Sequence, residues 1–166
     1  MKLTVIGAGN MGGALIKGWA KSGKIDNITV ADKNEALLAQ FKQEYPALTI
    51  TTDNVEAVKG ADIVVLVVKP WLMKMVLAEV KHALDLDKQI IVSDAANFTT
   101  GMLAEELGAE GQFFYVIPTV KRFCNNLFHI LFYCNAIQRF FKSKKKFGKS
   151  DSNHIMKRIL CYNPLL

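Results

Sequence analysis

No arginine precedes Arg122 in this chain of 166 residues. The planar guanidinium fork that grips a phosphate with two parallel hydrogen bonds is therefore missing from everything before it. Cysteine is almost as scarce, with Cys124, Cys134 and Cys161 the complete set. An odd number in no zinc spacing, with His129 and His154 in no ligand-like spacing to them, argues against a disulfide framework and a zinc site. The thiols read as unpaired, and no metal is expected. Long apolar runs are lacking too: the stretch from Leu127 to Tyr133 falls far short of the roughly 20 residues of a spanning helix, so no membrane anchor is expected. The apolar start, Leu3 to Ile6, leads into a glycine loop instead of a cleavage site. No secretory leader is expected, and a cytoplasmic location follows.

Basic excess is absent from most of the chain, although the formal charge is +6. Through Pro118, eleven Lys face fourteen Asp and Glu, a net of −3; from Thr119 onward, ten Lys and Arg face Asp151 alone, a net of +9. Every Cys, every Arg and six of the ten Phe also lie beyond Pro118. So sharp a change suggests different origins for residues 1–118 and 119–166. The length suffices for one core of ordinary size.

What is present begins with Lys2-Leu3-Thr4-Val5-Ile6-Gly7-Ala8-Gly9-Asn10-Met11-Gly12-Gly13. A β-branched run feeds into G-x-G-x-x-G and then into a helical pattern, which is how a dinucleotide-binding βαβ unit starts. Gly7 allows the turn out of the strand, Gly9 admits a pyrophosphate to the backbone, and Gly12 brings the helix close to the sheet. The pyrophosphate would rest on the amides and positive dipole end of that helix. Ala14, Leu15, Ile16, Trp19 and Ala20 give the helix its apolar stripe. A second strand over residues 28–31 ends in Asp32, about 20 positions past the glycines, where a ribose hydroxyl pair needs an acceptor.

Further on, residues 35–45 read as a helix closed by Pro46, 48–51 as a short strand and 54–59 as a short helix. Residues 62–68 form a continuous apolar run, expected of a central parallel strand covered on both faces. Lys69-Pro70 ends it, 71–84 supplies a crossover helix, 89–93 a fifth strand, 102–107 a short helix and 112–117 a sixth strand. Such alternation predicts an α/β, doubly wound parallel sheet with its ligand at the carboxyl ends of the strands. Gly7 to Gly12, Asp32, Asn54, Lys69 and Ser93 all follow strand ends and converge on that rim. Trp19 and Trp71 read as packing residues. Asn54 also suits a helix N-cap, and Lys69 a solvated strand end.

Beyond Pro118 the pattern weakens. Residues 122–141 are helical by propensity, yet apolar on all sides and without caps. The lysines between 142 and 149 form a charge run, for which a solvated or disordered tail is a commoner meaning than nucleic-acid binding.

The first 118 residues resemble the pyrroline-5-carboxylate reductases of proline biosynthesis, oxidoreductases that reduce a cyclic imine to proline. The resemblance rests on Ile6-Gly7-Ala8-Gly9-Asn10-Met11-Gly12, Thr52-Asp53-Asn54, Val65 to Pro70, and Ile91-Val92-Ser93 followed by Ala95-Ala96. It implies that Ile6, Gly7, Ala8, Gly9, Asn10 and Met11 hold the pyrophosphate of a nicotinamide dinucleotide, with Asp32 at the adenosine ribose and Asn54 on the same half. Val68, Lys69 and Pro70 would pass beneath the nicotinamide ribose, with Ala96 near the nicotinamide. No catalytic side chain and no metal ligand is assigned. Asp32 repels a 2′-phosphate and leans the cofactor toward NADH, while Lys33 offsets part of that repulsion and keeps NADPH in play.

Two departures precede Pro118: Asp94 stands where the family has a small apolar residue or Cys, and Asn97 where it has Gly. Past Pro118 nothing matches. The resemblance implies a second, helical half that forms the dimer and holds the carboxylate of the small imine substrate, and this chain has no counterpart to it. Reduction is therefore expected to be weak or absent. The tail has the composition that an A/T-rich gene yields out of frame, so a frameshift after Pro118 is the expected origin. The other readings are a smaller Rossmann reductase or an NAD(P)-binding module or sensor whose tail docks a partner, and a nucleic-acid binder using the tail.

Overall fold

β-Branched runs become buried parallel strands, and the glycine, proline and cap positions between them become turns. The structure, a computed structural model, describes residues 1–115 together with 118–121 and 129–132. The strands β1 (Lys2–Ile6), β2 (Asn27–Ala31), β3 (Thr49–Thr51), β4 (Ile63–Leu66), β5 (Ile90–Ser93) and β6 (Gln112–Tyr115) form one parallel sheet in the order β3-β2-β1-β4-β5-β6. Between them lie α1 (Asn10–Ser22), α2 (Glu35–Glu44), α3 (Asn54–Val58), α4 (Met73–Val80) and α5 (Thr100–Leu107), with a 3₁₀ turn, Pro70–Leu72, before α4.

Register places Leu3 between Ile28 and Ile63, and Ile6 between Ala31 and Leu66. Chain order runs outward from β1 to β3, then returns to β4 and runs outward to β6. The reversal falls between β1 and β4, and a crevice opens there at the carboxyl ends of the strands. Leu3, Val5, Val30, Val64 and Ile91 are fully buried, as strands covered on both faces require. Thr4 and Gln89, polar and buried in this core, are paired. The Thr4 hydroxyl donates to the Ala57 carbonyl at 2.7 Å. Gln89 donates through Nε2 to the Val58 and Ala61 carbonyls at 2.7 and 2.9 Å.

Boundaries differ from the sequence reading where backbone geometry intervenes. The fourth strand stops at Leu66 because the chain must then pass under the Gly7 turn. The expected helix over 71–84 begins as the 3₁₀ turn and ends at Val80. Thr99 caps α5 by accepting from the Met102 amide, which starts it two residues early. Residues 116 and 117, the end of the expected sixth strand, lie outside the described residues.

The chain divides into two units, Met1–Tyr115 and Val116–Leu166. In the second, β7 (Pro118–Lys121) pairs antiparallel with β8 (His129–Phe132), Thr119 facing Leu131. Within 122–141, where helical propensity came without caps or an amphipathic pattern, His129–Phe132 is a strand, as its bulky and β-branched residues allow. The rest of that range and the lysine run over 142–149 lie outside the described residues.

Candidate functional site at the carboxyl rim

The loop after β1 is shaped by contacts that only glycine permits at two positions. Gly7 has φ +100°, and a Cβ there would lie 2.9 Å from the Val67 carbonyl carbon and clash with its oxygen. Its amide donates to the Ala31 carbonyl at 2.8 Å. A Cβ on Gly12 would run into the Gly7 carbonyl and approach Val67 Cβ at 3.5 Å, so the first turn of α1 sits directly on the β1 exit. Gly9 is different. A Cβ there would meet nothing within 4 Å. As N-cap of α1 it supplies no side-chain acceptor, and the first turn, Asn10-Met11-Gly12, carries no acidic residue. The positive end of the helix is left without a counter-charge of its own.

Asp32 ties this loop to the end of β2. Its Oδ2 accepts from the Ala8 amide at 2.7 Å, and its Oδ1 accepts from the Asn34 amide at 2.9 Å. A carboxylate offers about four acceptor positions, so two remain for hydroxyl donors. Lys33 turns away from Asp32: its Nζ donates to Glu79 Oε1 at 3.0 Å and to the Thr52 carbonyl at 3.1 Å. Asn54, only 3% exposed, donates from Nδ2 to the other Glu79 oxygen at 2.8 Å. The N-cap of α3 is Asp53, which accepts from the Val55 and Glu56 amides. Asn54 is therefore not the cap that its position suggests.

Across the switch point the rim is looser. The Val67 amide donates to the Ile6 carbonyl at 2.8 Å. Beyond it lie half-buried Val68, exposed Lys69 and half-buried Pro70. Lys69 Nζ stands 6.0 Å from the centre of the Trp71 ring. Trp71 is 75% exposed, whereas Trp19 is 6% exposed, so the packing role expected of both holds for Trp19 and fails for Trp71. After β5, the Asp94 amide donates to the Leu66 carbonyl at 3.0 Å. Its buried Oδ1 meets no hydrogen-bond partner among the described residues. Burial pushes the Asp94 carboxyl up to about 7. Ala95 is buried, Ala96 exposed, and Asn97 has φ +61°.

The fold thus links the Gly7 to Gly12 loop to Asp32, and Lys33 to Asn54 through Glu79. It leaves Lys69, Pro70 and Ala96 on the other side of the rim. Glu79 was missed by sequence reasoning because its partners lie 46 and 25 positions away. A separate cavity of about 230 Å³ lies at the amino end of β2, lined by residues that include Ala20, Ile25, Ile28, Tyr45 and Leu48. It touches none of the predicted site residues. No cluster suited to a metal ion occurs among the described residues. No helix among them is long and apolar enough to cross a membrane.

Comparison with known proteins places residues 2–97 in the family described as NADP oxidoreductase, coenzyme F420-dependent. The pyrroline-5-carboxylate reductase of Vibrio alginolyticus is 34% identical over 118 residues, which cover 70% of this chain and 43% of that enzyme. A solved pyrroline-5-carboxylate reductase from Coxiella burnetii superposes with a TM-score of 0.67 at 33% identity, covering 70% of this chain and 43% of that one. An imine reductase from Myxococcus stipitatus, solved in complex with NADP+, gives a TM-score of 0.56 at 26% identity and covers 71% and 41%. The chain spans less than half the length of these relatives.

Proposed function

The chain belongs to the NADP oxidoreductase, coenzyme F420-dependent family, and from that premise we propose that residues 1–118 bind a nicotinamide dinucleotide for hydride transfer to 1-pyrroline-5-carboxylate. The observation that carries this reading is the α1 N-terminus, open at Gly9 and without a counter-charge, beside a carboxylate with acceptor capacity to spare. A pyrophosphate satisfies the first and a ribose diol the second.

On this reading the bound cofactor supplies the hydride. The chain binds and orients it: Ile6 to Gly12 cradle the pyrophosphate, Asp32 accepts from the adenosine ribose, and Asn54 lies on the same half of the cofactor. Val68, Lys69 and Pro70 run beneath the nicotinamide ribose, with Ala96 beside the ring. NADH is favoured, because Asp32 repels a 2′-phosphate and Lys33 is already engaged by Glu79. Orientation of the imine accounts for much of the rate in such a transfer, and the matched region covers only 43% of the Vibrio alginolyticus enzyme. The expected behaviour of this chain is cofactor binding with little turnover.

Titration with NADH, followed by nicotinamide fluorescence or calorimetry, tests the reading. Saturable one-to-one binding supports it, and no binding overturns it. Adding the imine tests the second statement, which turnover at the rate of a full-length reductase would refute. We further assign residues 119–166 an origin separate from the nucleotide-binding domain. Reading the gene across the codons for Ile117 to Lys121 checks it: a neighbouring frame that restores a helical second domain supports a frameshift, and its absence rejects one.

A further inference from the structure

We propose that Glu79 sets the discrimination between NADH and NADPH, by holding Lys33 in an ion pair that withdraws this cation from a 2′-phosphate. The proposal rests on the cofactor reading above and goes beyond it, since Glu79 touches no part of the nucleotide in that reading.

Lys33 directly follows Asp32 and is the basic side chain that the described structure ties to the adenosine end of the rim. Its ammonium has three donors, and two are spent on Glu79 Oε1 at 3.0 Å and the Thr52 carbonyl at 3.1 Å. Glu79 is itself held. Its Oε2 accepts from Asn54 Nδ2 at 2.8 Å, and Asn54 is buried at the start of α3, whose cap is Asp53. The pair is therefore not two long side chains meeting in solvent by chance. One member is fixed by a buried amide and draws the other toward α4.

A 2′-phosphate arriving beside Asp32 brings close to two negative charges. It meets two carboxylates, Asp32 and Glu79, and one ammonium already compensated by the second of them. The 2′-hydroxyl of NADH brings no charge and needs only the acceptors of Asp32. Repulsion at this range persists in part through solvent, so the balance favours the unphosphorylated ribose. Glu79→Gln removes the charge and keeps an oxygen that accepts from Asn54 Nδ2. Lys33 is then free to swing toward the phosphate.

The test measures dissociation constants of NADH and NADPH, and of the fragments AMP and 2′,5′-ADP, for the full chain and for Glu79→Gln. The expected result is a gain of about tenfold for NADPH and 2′,5′-ADP, shrinking with salt as a charge effect must, with NADH and AMP moved less than about twofold. The gain should vanish when Lys33→Met is added, a result that a merely structural role for Glu79 does not predict. Glu79→Ala serves as the second variant if Glu79→Gln does not fold. An unchanged NADPH to NADH ratio, in a chain that still binds NADH, overturns the proposal. Failure of the parent chain to bind NADH at all overturns the cofactor reading instead.

Discussion

The two sides of the carboxyl rim are built differently. On the β1–β3 side, hydrogen bonds of 2.7 to 3.1 Å join Ala8 to Asp32, and Lys33, Thr52 and Asn54 to one another through Lys33 and Glu79. On the β4–β5 side, Trp71 stands 75% exposed, Asp94 keeps a buried oxygen without a partner among the described residues and Asn97 takes a left-handed backbone. The first side is finished by its own sequence. The second carries exposed apolar surface and an unpaired acceptor, costs that a protein tolerates where something else meets the surface. This division matches the proposed roles, with adenosine held by a rigid network and the nicotinamide presented on a less committed face.

The sharpest way to break that contrast is to destroy the hinge between the two sides. Gly12→Ala pushes a Cβ into the Gly7 carbonyl and is expected to cost about 3 kcal/mol, read from denaturant unfolding, and to abolish nucleotide binding. Asp32→Ala comes next. It orphans the Ala8 and Asn34 amides and removes the ribose acceptor, so NADH affinity should fall roughly 10- to 100-fold in a direct titration. A fall below threefold would mean that the β1–β3 side is not preorganised by this carboxylate.

Asp94 sharpens the other side. In the folded chain its carboxyl keeps a proton up to about pH 7, whereas the ordinary value is 3.8. Between these values the native state binds more protons than the unfolded one, so this group's contribution to stability falls as pH rises from about 4 to 7 and stays low above. Asp94→Asn is therefore expected to be more stable than the parent at pH 8, by about 1 kcal/mol after allowance for partial exposure, with the difference gone near pH 4. Thermal melts at the two pH values decide it. The smallest effect belongs to Trp71→Ala, expected to shift stability by less than about 0.5 kcal/mol. A larger loss would show that this ring is covered in solution.

Where local chemistry dictates structure, the sequence was a good guide. Leu3 to Ile6 is rich in β-branched residues and Ile63 to Leu66 is apolar without alternation, and both became the central strands, while Gly7 and Gly12 stand where backbones nearly touch. Proline and glycine marked the turns. What could not be read depends on distant neighbours: the Lys33–Glu79–Asn54 network joins residues far apart in the chain, and nothing local distinguishes Glu79 from any solvated glutamate on a helix. Trp71 misled for the opposite reason, since a tryptophan in an apolar stretch suggests a core that its place after the Pro70 turn does not offer. Asn54 gave way as cap to Asp53 because Asp53 has the extended backbone, φ −97° and ψ 108°, that a capping side chain requires.

The position of β1 between β2 and β4 also has a consequence for how the molecule is made. Lys2 is bound on both sides of its peptide to Asp62, through its amide at 2.7 Å and its carbonyl at 2.9 Å, across 60 positions of chain. At roughly 5–20 residues per second of synthesis, the central strand waits about 3 to 12 seconds for this partner. During that interval Leu-Thr-Val-Ile has only β2 to pair with, and one edge of an otherwise buried strand faces the cell. The same strand order that places the switch point between β1 and β4 thus leaves the edge of the central strand unpaired until β4 has been made.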